Sequence, residues 1–77
     1  MKRIAVLERQ GHDLSGDVKT GLDCLAKAKI DCNAGSGGSG YGVLWVHWDS
    51  DLPTALRVLR GCSLDVVEAP LGYAKYS

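Results

Sequence analysis

Four short runs of apolar, aromatic and β-branched residues in the chain are typical of β-strands. They lie at residues 3–9, 30–34, 41–48 and 64–69. In the first run, the alternation of side chains assigns Ile4 and Val6 to one face of a sheet and Ala5 and Leu7 to the other. Because both faces are apolar, this run is predicted to be an interior strand.

The third run also has two apolar faces and is the strongest strand prediction in the sequence. Its alternation separates two sets of side chains, namely Leu44, Val46 and Trp48 on one face and Val43, Trp45 and His47 on the other. Helices can cover only one face of so small a sheet. The second face is therefore expected to be covered by another subunit or by the C-terminal tail at residues 70–77.

Apolar residues spaced three and four positions apart predict a first amphipathic helix after a loop at residues 10–16. Its apolar stripe consists of Val18, Gly21, Leu22 and Leu25, extended by Ala26 and Ala28, and its polar side of Lys19, Asp23 and Lys27. Ser15 is the predicted N-cap, with Asp17 near the positive end of the helix. Gly21 costs about 1 kcal/mol relative to alanine, which indicates either a close neighbouring backbone or a loose stretch of helix.

A second helix is predicted to follow the N-cap candidates at residues 49–51, with Pro53 in its first turn. Its apolar stripe ends at Gly61 and consists of Leu52, Ala55, Leu56 and Leu59. The stretch at residues 35–40 contains only glycine and serine and looks like an engineered linker. A natural hairpin is the preferred interpretation, because the segments on both sides are successive strands of one sheet.

The predicted order of elements is strand, helix, strand, strand, helix, strand. A right-handed crossover in each half places both helices on one face of a four-stranded antiparallel sheet. The fold class is therefore predicted to be α+β and ferredoxin-like, βαββαβ, with one domain at residues 1–77 that includes the tail.

Charge and size limit the possible partners. The 77 residues carry nine Lys and Arg against nine Asp and Glu, so nothing in the charge favours binding to nucleic acid or to an anionic membrane. A single core of this size is close to the lower limit for stability, and association into a homodimer or higher oligomer is expected.

The apolar run at residues 43–46 is far shorter than the roughly 20 residues of a membrane span, and no signal-peptide core is present, so a cytoplasmic location is expected. Cys24, Cys32 and Cys62 match neither a disulfide framework nor a CxxC metal pair. They are predicted to be small buried thiols, with a reactive or regulatory role for one of them left open. No metal and no cofactor are expected.

No catalytic residue is predicted. His12 and His47 have no second ligand at metal spacing, and Ser15, His12 and Asp13 have the residue types of a hydrolytic triad but are neighbours on one loop. The glycine-rich run lacks the GxxxxGK[ST] phosphate cradle, and a strand follows it where a GxGxxG fingerprint requires a helix.

The remaining candidate site is the loop at residues 12–17 before the first helix. The N–H groups and partial positive charge of a helix N-terminus can hold the carboxylate of a small ligand, while Asp13 or Asp31 can hold its ammonium group. The alternative interpretation is ordinary helix capping with solvated carboxylates.

The sequence resembles the ACT domain family from residue 2 to residue 68. The segments SGDV at 15–18 and LDCLAKAKIDC at 22–32 are similar to the family's loop, first helix and Ile-Asn-Ile type strand. The second half is similar in VLWVHW at 43–48, DLP at 51–53 and ALRVL at 55–59. The chain departs from the family where Ser15 replaces the common proline and where glycines replace a bulkier second strand.

The resemblance implies a non-catalytic regulatory module that binds amino acids or similar molecules at a homodimer interface. The family's ligand contacts match Asp13, Leu14, Ser15, Gly16 and Asp17, together with Asp31, where the family often has asparagine. Such a module acts through assembly or on a separate enzyme. The alternative function is a structural protein–protein interaction module that binds no small molecule.

Overall fold

The computed structural model describes residues 2–69 of the chain. It has two helices and four strands, namely β1 (Lys2–Leu7), α1 (Leu14–Lys27), β2 (Cys32–Gly38), β3 (Tyr41–Val46), α2 (Leu52–Gly61) and β4 (Val66–Glu68). A short 3-10 turn at Asp49–Asp51 precedes α2. The predicted α+β class is confirmed. Within the described range, no helix is long and apolar enough to cross a membrane.

The strands form one antiparallel sheet in the order β2-β3-β1-β4. The central pair is β1 and β3, which run side by side from Lys2 opposite Val46 to Leu7 opposite Tyr41. The edge strands are β2, which pairs with β3, and the short β4, which pairs with β1. This arrangement is consistent with a ferredoxin-like α+β fold.

Both helices contribute to one apolar core on one face of the sheet. Ile4, Val6 and Leu44 are fully buried there together with Leu25 of α1 and Leu59 of α2. The helix α1 lies unusually close to β3, because a Cβ atom added at Gly21 would lie 2.8 Å from Leu44 Cδ1. Of the two interpretations of Gly21, the close approach is the one that holds.

The opposite face of the sheet carries a second apolar cluster, which we call the helix-free face. Its members are Ala5, Tyr41, Val43 and Ala69, with Leu7, Trp45 and Val67 packed against them. The Trp45 indole lies across the backbone of β2, where a side chain at Gly35 would collide with the indole nitrogen. The Arg3 guanidinium lies 5.4 Å from the centre of the Trp45 ring, within the range of a cation–π contact.

The end of β3 differs from the prediction. The strand stops at Val46, and Trp48 is 57% exposed instead of lying beside Leu44 in the core. The chain leaves the sheet at this point to enter the 3-10 turn, so the alternation of the strand no longer applies. The Trp48 ring instead contacts the exposed His47 ring edge-on, with 4.6 Å between ring centres.

Several predicted boundaries are also wrong by a few residues. The strand β1 ends before Glu8 and Arg9, β4 is shorter than the apolar run around it, and β2 begins at Cys32. Ala26 and Ala28 are both exposed, and Ala28 is the C-cap that follows the last residue of α1. The glycine-rich stretch forms the second half of β2 and a tight hairpin, with Gly40 at a φ of 84°.

Two of the cysteines are paired. Cys24 of α1 and Cys62, the residue that follows α2, form a disulfide across a sequence separation of 38 residues. The prediction of buried free thiols is therefore wrong for both, and it stays a prediction only for the half-buried Cys32. Spacing along the chain did not indicate this pair, because it depends on how the two helices pack.

Candidate functional site

The first helix begins two residues earlier than predicted. Asp13 is the N-cap, with extended backbone angles of φ −88° and ψ 117°. The N–H of Asp17 donates the first helical hydrogen bond to the Asp13 carbonyl oxygen at 2.9 Å. Ser15 and Gly16 lie inside the first turn and are exposed. The Asp13 side chain makes no capping hydrogen bond, so the first turn keeps N–H groups for another acceptor.

Asp17 is buried in a polar cluster with two residues of the preceding loop. Its Oδ2 lies 3.3 Å from Arg9 Nη2, and its Oδ1 lies 3.6 Å from His12 Nδ1. Arg9 Nη2 also lies 3.2 Å from His12 Nδ1, and a guanidinium can only donate, so in this arrangement the imidazole nitrogen accepts. The Asp17 carboxylate is therefore engaged within the chain and turned away from a ligand.

A groove of about 340 Å³ lies between the beginning of α1 and the hairpin of β2 and β3. Its lining residues are Leu14, Ser15, Val18, Gly35, Gly37, Gly38, Tyr41 and Gly42. This volume is at the lower end of the range for small-molecule sites. Among the described residues that line the groove none carries a charge, so its polar groups are backbone N–H and C=O groups and two hydroxyls.

A second groove of about 630 Å³ lies at the other end of α1 and extends to the beginning of β2. Its polar residues are Asp23, Lys29, Asp31 and Asn33. Asp31 is exposed, and its carbonyl oxygen accepts a hydrogen bond of 3.0 Å from the backbone N–H of His47. This groove is thus more polar than the first and contains both signs of charge.

Cys32 opens into the second groove, and its environment suppresses ionisation. Burial raises the pKa of the Cys32 thiol, and the neighbouring Asp31 carboxylate raises it further. The residue is therefore a poor nucleophile near neutral pH. Within residues 2–69, no group of three His, Cys, Asp or Glu side chains is arranged to hold a metal ion.

The structure does not bring all six predicted site residues together. Residues 13–17 lie at the beginning of α1, but only Leu14 and Ser15 line the groove there. Asp31 lies beyond the other end of the helix, whose 14 residues span about 21 Å. A single small molecule therefore cannot contact both ends of α1 within one copy of the chain.

Two features of this region were missed in the sequence. The glycines of the hairpin form one wall of the first groove, whereas the sequence pattern predicts the hairpin without indicating a groove beside it. Arg9 pairs with Asp17 and donates to His12, but a single arginine and a single histidine in a polar loop carry no recognisable signal. The role of the hairpin could have been predicted, because glycines let a ligand approach the backbone closely and a helix N-terminus beside them can bind an anion.

No protein-family model matches the sequence, and no curated protein matches it at a significant level.

Proposed function

We propose that this chain is a non-catalytic, ACT-like regulatory module with a ferredoxin-like fold, which binds an amino-acid-like ligand between two copies of itself. The proposal follows the resemblance in sequence, and the observed order of strands is compatible with it. One observation carries it. The groove at the beginning of α1 has the volume of a small-molecule site. It lies beside the first turn of α1, whose N–H groups receive no hydrogen bond from the side chain of the N-cap Asp13.

The ligand carboxylate is assigned to the first turn of α1. The N–H groups around Ser15 and Gly16 point out of the helix start, where the helix dipole favours a negative charge. Neither residue places a bulky side chain over these groups. A carboxylate in the groove would therefore gain hydrogen bonds that charge makes stronger than neutral ones.

The ligand ammonium group needs a carboxylate, and the residues that line the groove supply none. Asp17 is already paired with Arg9, and Asp31 of the same chain is about one helix length away. Asp13 is exposed at the N-cap and does not line the groove. A second copy of the chain can supply the missing charge. This is the reason to propose a shared site and not a site within one copy.

The edge strand β2 is the surface proposed for the contact between copies. Its seven residues, CNAGSGG, include no charged residue and no proline, which are two of the usual means of protecting a sheet edge from pairing, and its pairing with β3 is irregular only between Gly35 and Gly38. Antiparallel pairing of two such edges about a two-fold axis brings the beginning of one β2 beside the end of the other. Asp31 of the second copy would then lie near Gly38, which lines the groove.

In this proposal the module has no cofactor and no reaction of its own, and it acts on a separate enzyme. Disulfides persist in oxidising compartments, so the bond between Cys24 and Cys62 does not favour the cytoplasmic location expected from the sequence.

Calorimetric titration and thermal-shift measurements with the common amino acids test the proposal. We expect at least one of them to release or absorb heat on binding and to raise Tm. Ser15→Glu should abolish the response, because it places a negative charge where the ligand carboxylate would sit while remaining favourable for the helix. Thr20→Glu, on the exposed side of the same helix, is the matched control and should bind normally. Absence of any response across the panel would contradict the proposal.

A structural interaction module without a ligand is the second candidate, and the uncharged edge of β2 favours it. Such a module would be a dimer by light scattering and would respond to no amino acid. A monomer at micromolar concentration would contradict both candidates.

A further inference from the structure

One side of α1 is attached to the turn between α2 and β4 at three positions. Asp17, Gly21 and Cys24 are spaced four and three residues apart, so they lie on the same side of the helix. The Asp17 carboxylate pairs with Arg9, and Arg9 Nη1 donates to the carbonyl oxygen of Ser63 in the turn at 2.6 Å. The beginning of the helix is thus attached to the turn through polar contacts.

The other two attachments are a close packing contact and a covalent bond. A Cβ atom added at Gly21 would lie 3.3 Å from Leu59 Cδ2 and 3.4 Å from Leu64 Cδ1, on the two sides of the turn. Cys24 is joined through its disulfide to Cys62, the residue that follows α2. The disulfide is therefore the last of the three attachments along the helix, and it fixes the second half of α1.

The end of α1 has few other contacts that hold it in place. Leu25 is the last buried residue of the helix, and the next residues, Ala26, Lys27 and Ala28, are exposed. Lys29 has a φ of 61°, in the left-handed region where a residue with a side chain is strained. A segment with few buried contacts and a strained end opens more readily than the rest of a fold.

We infer that the disulfide between Cys24 and Cys62 is a reversible redox control of the second groove. The helix wall of this groove lies in the second half of α1 and consists of Leu22, Asp23 and Ala26. The oxidised disulfide holds this wall against the turn. Reduction releases the wall, so that the groove loses its fixed shape, while the first half of the helix keeps its own two attachments.

The bond is accessible to the reagents that break and form it. Cys24 and Cys62 are both half-buried, so each keeps some surface in contact with solvent. A thiolate of an external dithiol attacks one of the two sulfur atoms, breaks the S–S bond and forms a mixed disulfide, and its second thiol then displaces the chain. The dithiol supplies two electrons and two protons, so it becomes a disulfide and both cysteines become thiols. An external disulfide reverses the exchange.

The control reaches the beginning of β2 through the end of the helix. The N–H of Ile30 donates to the Leu25 carbonyl oxygen at 2.9 Å, so the end of α1 sets where the chain enters the strand. Asp31, the next residue, lines the same groove and is the carboxylate assigned to the ligand ammonium group. The oxidised chain should therefore bind the ligand more tightly than the reduced chain. This last expectation rests on the proposed function, whereas the control of the groove does not.

Native-state hydrogen exchange measured by NMR tests the control. The N–H of Ala28 donates to the Cys24 carbonyl oxygen at 3.1 Å, so this amide and that of Ile30 report on the second half of α1. We expect reduction by an excess of a small dithiol to accelerate both amides by about tenfold or more. The amide of Asp17 should keep its rate, and the chemical shifts of β1 and β3 should stay native. The Cys24→Ala/Cys62→Ala variant should behave like the reduced chain.

Arg9→Gln is the matched control, because it removes the attachment at the other end of the helix. It should accelerate the Asp17 amide, whose N–H donates to Asp13, and leave Ala28 unchanged. Cys32 gives a second measurement, because it lines the second groove. Its alkylation at constant pH should be faster in the double alanine variant than in the oxidised chain, and unchanged in Arg9→Gln.

Three results would overturn the inference. Equal acceleration at Asp17 and Ala28 on reduction would mean that the disulfide stabilises the whole fold and not one half of a helix. Loss of the native chemical shifts of β1 and β3 on reduction would mean that the chain unfolds. Two free thiols at Cys24 and Cys62 after treatment with an oxidised dithiol would mean that the bond does not form. Local release in a chain that binds no amino acid in either state would support the redox control and contradict the proposed function.

Discussion

Arg9 and Asp17 form an ion pair, with 3.3 Å between Nη2 and Oδ2, that connects the loop after β1 to the first turn of α1. The same guanidinium donates through Nη1 to the carbonyl oxygen of Ser63 at 2.6 Å, in the turn between α2 and β4. Arg9 thus fixes two connections that are 54 residues apart in sequence. Because Asp17 is only 8% exposed, its carboxylate depends on Arg9 and on the positive end of α1 for charge compensation.

Replacing Arg9 should lower the stability of the fold. We expect Arg9→Gln to lower the free energy of unfolding by about 1–3 kcal/mol, because it leaves a buried carboxylate without its main partner. Urea unfolding measures the loss, and Lys19→Gln, an exposed change on α1, should cost less than about 0.5 kcal/mol. Adding Asp17→Asn to Arg9→Gln should cost less than Asp17→Asn alone. Equal costs in the two backgrounds would show that the residues are not coupled.

The close approach of α1 to the sheet predicts opposite effects at two glycines. Gly21→Ala should destabilise the protein by about 1–3 kcal/mol, because the new methyl group would press on Leu44. Gly61→Ala, at the end of α2, has open space around the new methyl group and should be neutral or stabilising by up to about 1 kcal/mol. Thermal unfolding of the pair measures both. A stabilising Gly21→Ala would contradict the close approach.

The disulfide between Cys24 and Cys62 should contribute strongly to stability. A cross-link that closes a loop of this length is expected to contribute about 4 kcal/mol in the chain-entropy model. Denaturant unfolding with and without a dithiol reductant measures the contribution. The Cys24→Ala/Cys62→Ala variant should be less stable than the oxidised chain and indifferent to the reductant. An oxidised chain whose midpoint does not move on reduction would count against the bond.

The remaining thiol, Cys32, should react slowly. Because burial and then Asp31 raise its pKa, its alkylation by iodoacetamide should accelerate only at a pH above the ordinary thiol range. Asp31→Asn should shift this profile to lower pH, while Asp23→Asn, in the same groove, is the matched control. The raised pKa also means that Cys32 stabilises the fold below the ordinary thiol pKa and loses this contribution as the pH rises through the folded-state value. An unshifted profile in Asp31→Asn would contradict the role of the carboxylate.

The sequence predicts the helices and the helix-covered core well because both depend on local periodicity. Leu22 and Leu25 are three positions apart, and Ala55 and Leu59 are four positions apart. In a helix such spacings place each pair on one face, which identifies the face that packs against the core. The alternation around Leu44 likewise identifies the covered face of the sheet. The predicted position of Trp48 is wrong because the alternation of side chains holds only while the strand continues. The sequence does not mark the point where the chain enters a turn.

The site was predicted less well because it depends on packing between distant segments. The start of α1 was found within two residues, since small polar residues before an apolar stripe indicate a helix start. The separation of Asp31 from that start follows from the length of α1 and could have been calculated. The pairing of Cys24 with Cys62 and of Arg9 with Ser63 could not, because each joins elements whose contact is set by the tertiary fold.

Mixing two inactive variants tests the proposed shared site most directly. Ser15→Glu removes the carboxylate position and Asp31→Ala removes the ammonium position, so each variant alone should fail to bind the amino acid identified by titration. In a two-fold dimer each site takes one residue from each copy, so an equimolar, re-equilibrated mixture contains heterodimers with one intact site. The mixture should recover about a quarter of the wild-type binding capacity in calorimetry. No recovery on mixing, with dimers present, would contradict a site built from two copies.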